Sequence, residues 1–228
     1  MNEAIILVGG LGTRLKSIVP NLPKPMAEVN GKPFLEYILN FLDKNDIKRV
    51  VLSAGYKWEI INDYFGNNFK GIELCYSVEN SPLGTGGAIK KALTYINSEN
   101  VYILNGDTFF DIDLSSLDLV YNSKLILSLK FLENFDRYSC VEYNNNNQVE
   151  SFSEKRFRAR GAINGGIYLV KSNIFENFKF EEKFSFENFI KKNFKTLNAS
   201  VSVFDRFFID IGIPEDYNRA QKDMANFL

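Results

Sequence analysis

The chain contains no histidine, and this absence excludes several classes of chemistry. No Ser-His-Asp or Cys-His arrangement can form, and neither can a zinc site that uses imidazole ligands. Any acid, base or metal-binding work must therefore fall to carboxylates, lysines and arginines.

Cysteine is scarce as well, with Cys75 and Cys140 as the two examples in 228 residues. They are far apart in sequence and form no metal or redox motif, so we expect reduced core residues that pack as small hydrophobes. The first ten residues lack a basic segment, and no apolar run approaches the roughly 18 residues of a membrane helix. These features predict a cytoplasmic protein that does not bind a membrane.

An excess of either charge is also missing. Lysine and arginine total 27 against 28 aspartates and glutamates, which gives a formal net charge of -1. A chain of this kind has no global basic field to attract nucleic acid. The short basic stretch KRFRARG at 155–161 has no wider basic face around it, so we expect no nucleic-acid partner.

The pattern of apolar residues predicts an α/β fold. Buried strands are predicted at EAIILV, RVVLSA, IELCYSV and NVYILNGD, with amphipathic helices between them. Such alternation is typical of a parallel sheet with right-handed crossovers. Later strands, with Asn144–Asn147 as a hairpin turn, predict that the sheet becomes mixed. The expected fold class is a Rossmann-like three-layer sandwich with a mixed, mostly parallel central sheet.

Length and the lack of a linker favour a single domain over residues 1–228. We expect a nucleotide-binding half at about 1–110 and a sugar-binding half at about 111–228, the substrates being implied by the resemblance given below.

A glycine-rich loop, VGGLGTRLKSIVPNLPKP at 8–25, follows the first strand. It is not a P-loop, because Gly12 is followed by Thr13 and Arg14 instead of lysine and a hydroxyl residue. It is not a dinucleotide fingerprint either, because Leu15 replaces the third glycine. Arg14 and the proline-flanked Lys24 nevertheless suit a polyphosphate, although a tight turn with solvated charges is the structural alternative.

Two aspartates end predicted strands, Asp107 after NVYILNG and Asp210 after FFI. Ligands of open α/β sheets bind beyond such strand ends. Two carboxylates without histidine suit a hard, oxygen-preferring cation such as Mg²⁺. A single aspartate at a strand end could instead cap the next segment.

The series of motifs resembles that of the sugar-nucleotide nucleotidyltransferases, which join a nucleoside triphosphate to a sugar 1-phosphate and release pyrophosphate. The resemblance covers nearly the whole chain and rests on GGLGTRL and PKP, PLGTGGA, NGD, EK, NGGIY and DIGIPEDY, in that order. It implies the nucleotide-diphospho-sugar transferase fold and Mg²⁺ as cofactor. A homodimer is left open.

The resemblance also implies roles for individual residues. The catalytic residues would be Arg14, Lys24, Asp107, Lys155 and Asp210, with Asp107 and Asp210 holding Mg²⁺. The nucleotide would bind at Leu7, Gly9, Gly10, Gly12, Thr13, Arg14, Lys24, Glu79, Gly84, Thr85 and Asp107. The sugar would bind at Gly106, Glu154, Lys155, Asn164 and Gly165. A purely structural alternative exists for two of these residues: Lys155 could be a solvated surface charge, and Thr85 could be a helix N-cap.

The sequence indicates the nucleobase and the sugar less clearly than the class of reaction. The compact chain is similar to bacterial heptose 1-phosphate guanylyltransferases, which favours GTP and D-glycero-α-D-manno-heptose 1-phosphate, and a product used for capsule or S-layer glycans. It is also similar to small mannose 1-phosphate guanylyltransferases and to N-acetylmuramate 1-phosphate uridylyltransferases.

Two other classes of protein were weighed against these transferases. A dinucleotide-dependent oxidoreductase needs an acidic residue after the second strand, where Ser53 and Ala54 stand instead. A non-catalytic sugar-nucleotide-binding module is expected to have lost one of the four residues Arg14, Lys24, Asp107 and Asp210, and all are present.

Overall fold

The computed structural model describes residues 2–10, 15, 18–120, 122–225 and 227. Its helices are α1 (Phe34–Lys44), α2 (Trp58–Phe65), α3 (Gly84–Ala92), α4 (Phe186–Asn193) and α5 (Pro214–Asp223). Its strands are β1 (Glu3–Leu7), β2 (Glu28–Val29), β3 (Lys32–Pro33), β4 (Arg49–Ala54), β5 (Asn68–Phe69), β6 (Ile72–Val78), β7 (Asn100–Asn105), β8 (Thr108–Phe110), β9 (Leu125–Phe135), β10 (Val141–Tyr143), β11 (Val149–Phe152), β12 (Arg158–Lys171), β13 (Ser200–Phe204) and β14 (Phe208–Asp210).

Eight of these strands form one sheet in the order β13-β9-β12-β7-β1-β4-β6-β5. The strands β7, β1, β4 and β6 run parallel to one another. The long strand β12 is antiparallel to both β7 and β9, whereas β13 is parallel to β9. The predicted mixed, mostly parallel sheet is thereby confirmed.

Alternation along the central strands makes this sheet the middle of three layers. Ala4 and Ile6 of β1 pack into one apolar cluster with α1 and α2, whereas Ile5 packs into a second cluster with α3 and α4. Successive side chains of a strand point to opposite faces, and a strand covered on both faces can be apolar throughout. This explains the unbroken run EAIIL.

A small two-stranded sheet brings distant parts of the chain together at the carboxyl end of β7. Strand β14 pairs antiparallel with β8, and Asp210 lies opposite Thr108. The ladder continues beyond the strands, since the N–H of Ile211 donates to the carbonyl of Asp107 at 2.9 Å. Residues more than a hundred positions apart in sequence therefore become neighbours.

The predicted elements of the first half correspond to observed ones, with one adjustment. The fourth strand ends at Asn105, so Asp107 lies in the turn that follows it.

Cys140 is buried as predicted, but Cys75 is only partly buried and its thiol contacts Glu73 and Arg49. Both cysteines are free. Within the described residues, no helix is long and apolar enough to cross a bilayer.

Glu3 ties β1 to its neighbours, and its removal is expected to destabilise the fold. Its carboxylate accepts from Arg49 at 2.8 Å and from the N–H groups of Asn97 and Ser98 at 3.0 and 2.6 Å. Burial opposes ionisation, but these hydrogen bonds outweigh it and lower the pKa of Glu3 below its ordinary value of 4.5. We expect Glu3→Gln to reduce the free energy of unfolding at pH 7 by about 2 kcal/mol, measured by urea denaturation.

The effect of Glu3→Gln should depend on pH in one direction. Because the folded pKa is the lower one, the carboxylate stabilises the fold above pH 4.5 and loses this effect as the pH falls through the folded value. Glu73, which contacts the same Arg49 at 3.3 Å but is exposed, provides the control, and Glu73→Gln should cost less than about 1 kcal/mol. Equal losses for the two variants would contradict the assignment.

Candidate active site

Two cavities lie side by side at the carboxyl ends of the sheet strands. The first, which we call the carboxylate cavity, has a volume of about 420 Å³ and lies at the carboxyl end of β7, beside β9 and β12. Its lining includes Asn105, Asp107, Thr108, Arg137, Tyr138, Lys155, Asn164, Tyr168, Glu187, Lys191, Phe208 and Asp210. The position is the one expected for a ligand site in an open α/β sheet.

The second cavity, which we call the glycine cavity, has a volume of about 470 Å³ and lies beyond β1, β4 and β6. Its lining residues are Leu7, Gly9, Gly10, Ser53, Gly55, Tyr56, Glu79, Asn80, Ser81, Pro82, Gly84, Thr85 and Ala88. The adjacent strands β1 and β7 separate the two cavities, and Leu7 pairs with Asn105 across that boundary. Two ligands bound in these cavities would therefore be neighbours.

Asp107 and Asp210 line the carboxylate cavity, and Lys24, which is not among the lining residues, forms an ion pair with Asp107. The ladder between β8 and β14 holds the two aspartates close, and Lys24 Nζ lies 2.5 Å from Asp107 Oδ2. Burial raises the pKa of Asp210, and the negative charge of Asp107 raises it further, while Lys24 acts in the opposite direction. The site therefore holds two like charges whose repulsion is opposed by the positive charges of Lys24 and Arg137.

Local backbone structure fixes Lys24 in this position. Lys24 begins a short 3₁₀ turn, Lys24–Met26, directly after Pro23, whose φ is -63°. The N–H of Met26 donates to the carbonyl of Pro23, and the N–H of Ala27 donates to that of Lys24. Only 10% of the Lys24 side chain is exposed. The prediction that prolines stiffen this segment is consistent with this geometry.

A bulge in β12 places Asn164 at the carboxylate cavity. The register against β9 shifts between Asn164 and Tyr168, and Gly166 adopts a φ of +78°. The Asn164 amide is held on both sides, since its oxygen accepts from the N–H of Gly166 at 3.0 Å and its nitrogen donates to the hydroxyl of Tyr168 at 2.6 Å. Its remaining N–H and lone pair can face a ligand.

Glu79 is the acidic group of the glycine cavity. Its Oε2 accepts from the N–H of Leu83 at 2.8 Å. Burial raises the pKa of Glu79, although this N–H and the Lys91 ammonium oppose the effect. Ser53 contributes a buried hydroxyl without a hydrogen-bond partner in the part of the chain that the structure describes. Both groups can hydrogen-bond to a polar ligand.

Most of the predicted site residues lie at the two cavities. Asp107, Lys155, Asn164 and Asp210 line the carboxylate cavity. Leu7, Gly9, Gly10, Glu79, Gly84 and Thr85 line the glycine cavity. Gly12, Thr13 and Arg14 lie outside the described residues.

Glu154, Gly106 and Gly165 are not among the residues that line either cavity. Both glycines are needed for close packing. A Cβ on Gly106 would lie 2.5 Å from the carbonyl oxygen of Leu7, and one on Gly165 would lie 2.4 Å from the Phe110 ring.

Two glycines of the PLGTGGA loop, Gly84 and Gly86, lie in close contact with Phe184. A Cβ on Gly84 would lie 2.6 Å from the carbonyl oxygen of Phe184, and one on Gly86 would lie 2.2 Å from the Phe184 ring. The backbone of 83–86 is hydrogen-bonded to Phe184 in both directions. The loop, which lines the glycine cavity, is thereby packed against the segment that leads into α4, whose residues Glu187, Ile190 and Lys191 line the carboxylate cavity.

The N-cap interpretation of Thr85 is wrong. Helix α3 starts at Gly84 after Leu83, with no side-chain cap. The Thr85 hydroxyl instead donates to Glu187 and accepts from the N–H of Phe186, both at 2.8 Å.

Several residues at the carboxylate cavity were not predicted from the sequence, among them Arg137, Tyr138, Glu187 and Lys191. Arg137 is ion-paired with Asp216 at the start of α5, and the Tyr138 hydroxyl lies 3.4 Å from Asp210 Oδ2. The one sequence signal was SFE at 185–187, which is typical of a helix start. Arg137 and Tyr138 carried no signal, since they follow a strand within an ordinary polar turn.

Comparison with known proteins identifies the family of this chain. The model of the nucleotidyl transferase family matches residues 3–226. The chain belongs to that family. It is 55% identical to a D-glycero-α-D-manno-heptose 1-phosphate guanylyltransferase of Campylobacter jejuni, over 94% of this chain and 96% of the relative. A relative of the same name from Aneurinibacillus thermoaerophilus is 48% identical over 99% of this chain and 100% of its own.

Solved structures from the same family have the same fold. Among them is HddC from Yersinia pseudotuberculosis complexed with GMP-PN, which is 37% identical to this chain, with a TM-score of 0.82. The match covers 97% of this chain and 98% of the HddC chain. The predicted resemblance to sugar-nucleotide nucleotidyltransferases is thereby confirmed. The family's substrates are a nucleoside triphosphate and a sugar phosphate.

Substitution of Gly84 tests the contact between the PLGTGGA loop and α4. Gly84→Ala adds a Cβ that meets the carbonyl of Phe184 at a residue whose φ is +69°, so strain and a backbone clash act together. We expect the free energy of unfolding to fall by about 3 kcal/mol in urea denaturation. Gly31, with a φ of +75° and open space around it, is the matched control, and Gly31→Ala should cost about 1 kcal/mol. Equal costs would show that the clash is absent.

Proposed function

We propose that this protein is a guanylyltransferase that joins GTP to D-glycero-α-D-manno-heptose 1-phosphate, giving GDP-heptose and pyrophosphate. The observation that carries the proposal is the pair of adjacent cavities, with Asp107 and Asp210 lining the carboxylate cavity and Lys24 ion-paired with Asp107. The full-length similarity to enzymes of that name supports the choice of base and sugar. The glycine cavity would take the nucleotide, and the carboxylate cavity the sugar phosphate.

The proposed reaction needs positioning and charge neutralisation more than proton transfer. An oxygen of the sugar phosphate, already ionised at neutral pH, attacks the α-phosphorus, and the bond from that phosphorus to the bridging oxygen of the leaving pyrophosphate breaks. Lys24, fixed beside Asp107, would neutralise charge at the α-phosphate, and Lys155 would hold the sugar phosphate. Arg14 would act on the β- and γ-phosphates. Holding both substrates in line supplies much of the rate.

The residues present fit a divalent cation, and Mg²⁺ is part of the proposal. Asp107 and Asp210 would hold it, because burial, and then the charge of Asp107, raise the pKa of Asp210, and a bound dication stabilises both carboxylates. Mg²⁺ usually takes one or two protein carboxylates and completes its shell with water and phosphate oxygens, and the described residues contain no larger acidic cluster. When bound, the ion supplies Lewis-acid stabilisation of the phosphates.

Glu79 supports guanine as the base. Guanine presents two adjacent donors, N1–H and the exocyclic amine, whereas uracil, thymine, cytosine and adenine offer no such pair on that edge. A carboxylate accepts two donors side by side. Glu79 lies at the glycine cavity with Oε1 free of hydrogen-bond partners among the described residues. Glu79 is partly buried and has lost part of its hydration. Hydrogen bonds from guanine would replace the lost contacts with water.

We also propose a domain organisation, an oligomeric state and a cellular compartment for this protein. The chain acts as one nucleotidyltransferase domain over residues 1–228, with nucleotide and sugar halves divided near residue 110. It forms a homodimer, for which the exposed side chains of Tyr64, Val120 and Phe157 offer apolar contact area, and light scattering tests this. Its compartment is the cytoplasm, where nucleoside triphosphates are abundant.

Pyrophosphate release provides the direct test of function. We expect turnover when the protein is incubated with Mg²⁺, GTP and D-glycero-α-D-manno-heptose 1-phosphate, and much slower turnover with other nucleoside triphosphates and with mannose 1-phosphate. Asp210→Asn should lower kcat by about 100-fold or more and remain folded by thermal unfolding. The exposed Asp205, which pairs with Lys130, is the control, and Asp205→Asn should keep full activity.

Three outcomes would count against parts of this proposal. No pyrophosphate with any pair of substrates would overturn the enzyme assignment and favour a binding module. Turnover with UTP but not GTP would overturn the guanylyl assignment. A fully active Asp210→Asn variant would overturn the assignment of the cation ligands.

Glu79→Gln tests how the base is selected. The amide retains one acceptor but replaces the other with a donor, so it matches guanine poorly and uracil or thymine better. We expect kcat/KM for GTP to fall by about 100-fold and that for UTP or dTTP to rise relative to it, measured by pyrophosphate release. An unchanged preference for GTP in a folded variant would show that Glu79 does not contact the base.

A further inference from the structure

Glu187 reaches the carboxylate cavity from the first turn of α4, and one of its oxygens is fixed from two sides. Its Oε2 accepts from the hydroxyl of Thr85 at 2.8 Å and from that of Ser185 at 2.7 Å. The Thr85 hydroxyl is itself held by the N–H of Phe186 at 2.8 Å, and Ser185 caps α4 by accepting from the N–H of Asn188. The carboxylate is therefore pre-organised instead of free to rotate.

The other oxygen of this carboxylate is available to a ligand. Glu187 lines the carboxylate cavity together with Asn164 and Tyr168, and its Oε1 has no hydrogen-bond partner within the described parts of the chain. Its charge is close enough to contribute, after burial, to the raised pKa of the Tyr168 hydroxyl. A fixed, half-buried acceptor with an unused oxygen at a cavity suits a ligand that donates.

We infer that Glu187 is a specificity-determining residue whose Oε1 accepts a hydrogen bond from one hydroxyl of the bound sugar. This inference rests on the proposed function, since it assigns the sugar to this cavity. Asn164, with an N–H left over after its contact with Tyr168, donates to the same or the adjacent hydroxyl. Because a hydroxyl both donates and accepts, a carboxylate and an amide together can distinguish its presence and its position.

The chemistry of the cavity separates this role from phosphate binding. A carboxylate accepts hydrogen bonds and repels the phosphate of the sugar, so Glu187 suits the polyol part of the substrate. Lys155, Lys191 and Arg137 also line the cavity and provide positive charge for the phosphate. The two parts of a sugar 1-phosphate are thus matched by separate groups of opposite charge.

A cycle that combines Glu187→Ala with deoxy sugar 1-phosphates, each lacking one hydroxyl, tests the contact. With the unmodified protein, loss of the contacted hydroxyl should lower kcat/KM by about 10- to 100-fold, as for a hydrogen bond to a charged group. With Glu187→Ala, the same deoxy sugar should cause no additional loss, while the other deoxy sugars should keep theirs. A purely structural role would lower kcat/KM by the same factor for every sugar, and that result would overturn the inference.

Two further variants keep the test decisive. If thermal unfolding shows that Glu187→Ala is unfolded, the cycle is measured with Glu187→Gln, in which the penalty for the contacted hydroxyl should shrink but not vanish. An undiminished penalty in that variant would also overturn the inference. Glu181, exposed and near in sequence, is the control, and Glu181→Gln should leave every ratio unchanged.

Failure here is distinguishable from failure of the proposed function. The cycle uses whichever sugar 1-phosphate the unmodified protein turns over fastest. If this sugar is not the heptose phosphate, the proposed function is wrong in its substrate, while the Glu187 cycle still reports on the contact. If it is the heptose phosphate and the penalties are independent of Glu187, only the inference fails.

Discussion

The site depends on two negative charges that the backbone holds together. The ladder of β8 and β14 places Asp210 beside Asp107 whatever the repulsion between their side chains, because main-chain hydrogen bonds fix the register. Lys24, braced by its 3₁₀ turn, offsets part of that repulsion. Arg137 is ion-paired with Asp216, and the hydroxyl of Tyr138 contacts Asp210. The surrounding structure thus holds the two carboxylates together although their charges repel each other.

A second constraint is the fixed relation between the two cavities. An in-line displacement requires both substrates in a defined geometry, and small shifts of one against the other are costly to the rate. The contact of the PLGTGGA loop with 182–187 provides that rigidity, because Gly84 and Gly86 let two backbones approach at distances that any side chain would prevent. Helix α3 begins at Gly84, although glycine is the weakest helix former after proline, because a side chain at this position would collide with the backbone of Phe184.

The sequence predicted the order of elements and most of the site because both depend on local patterns. Apolar alternation identified the parallel core, and motif order identified Lys24, Asp107, Asn164 and Asp210, which the fold brings to one end of the sheet. What could not be predicted depended on pairing across the chain. Thr85 looked like an N-cap because its true partners, at 186 and 187, are about a hundred residues away.

The same limit explains why the packing partners of the glycines and several cavity residues were not predicted. A glycine pattern shows that the backbone must come close to something, but not to what. The surface turn carrying Arg137 contains no periodicity or capping signal, so only the tertiary contact with Asp216 distinguishes it. The absence of histidine, in contrast, was informative from the start, since a reaction of already ionised phosphates requires no imidazole as acid or base.

One short loop connects the two steps of molecular recognition that we assign. The N–H of Leu83 holds Oε2 of Glu79 in the glycine cavity, and the hydroxyl of Thr85 holds Oε2 of Glu187 in the carboxylate cavity. Each glutamate is thereby fixed through one oxygen and offers the other to a ligand, which reduces the conformational entropy lost on binding. Because both anchors lie within three residues, a shift of this loop would disturb both acceptors at once. Selection of the base and of the sugar is therefore expected to change together when this loop is displaced.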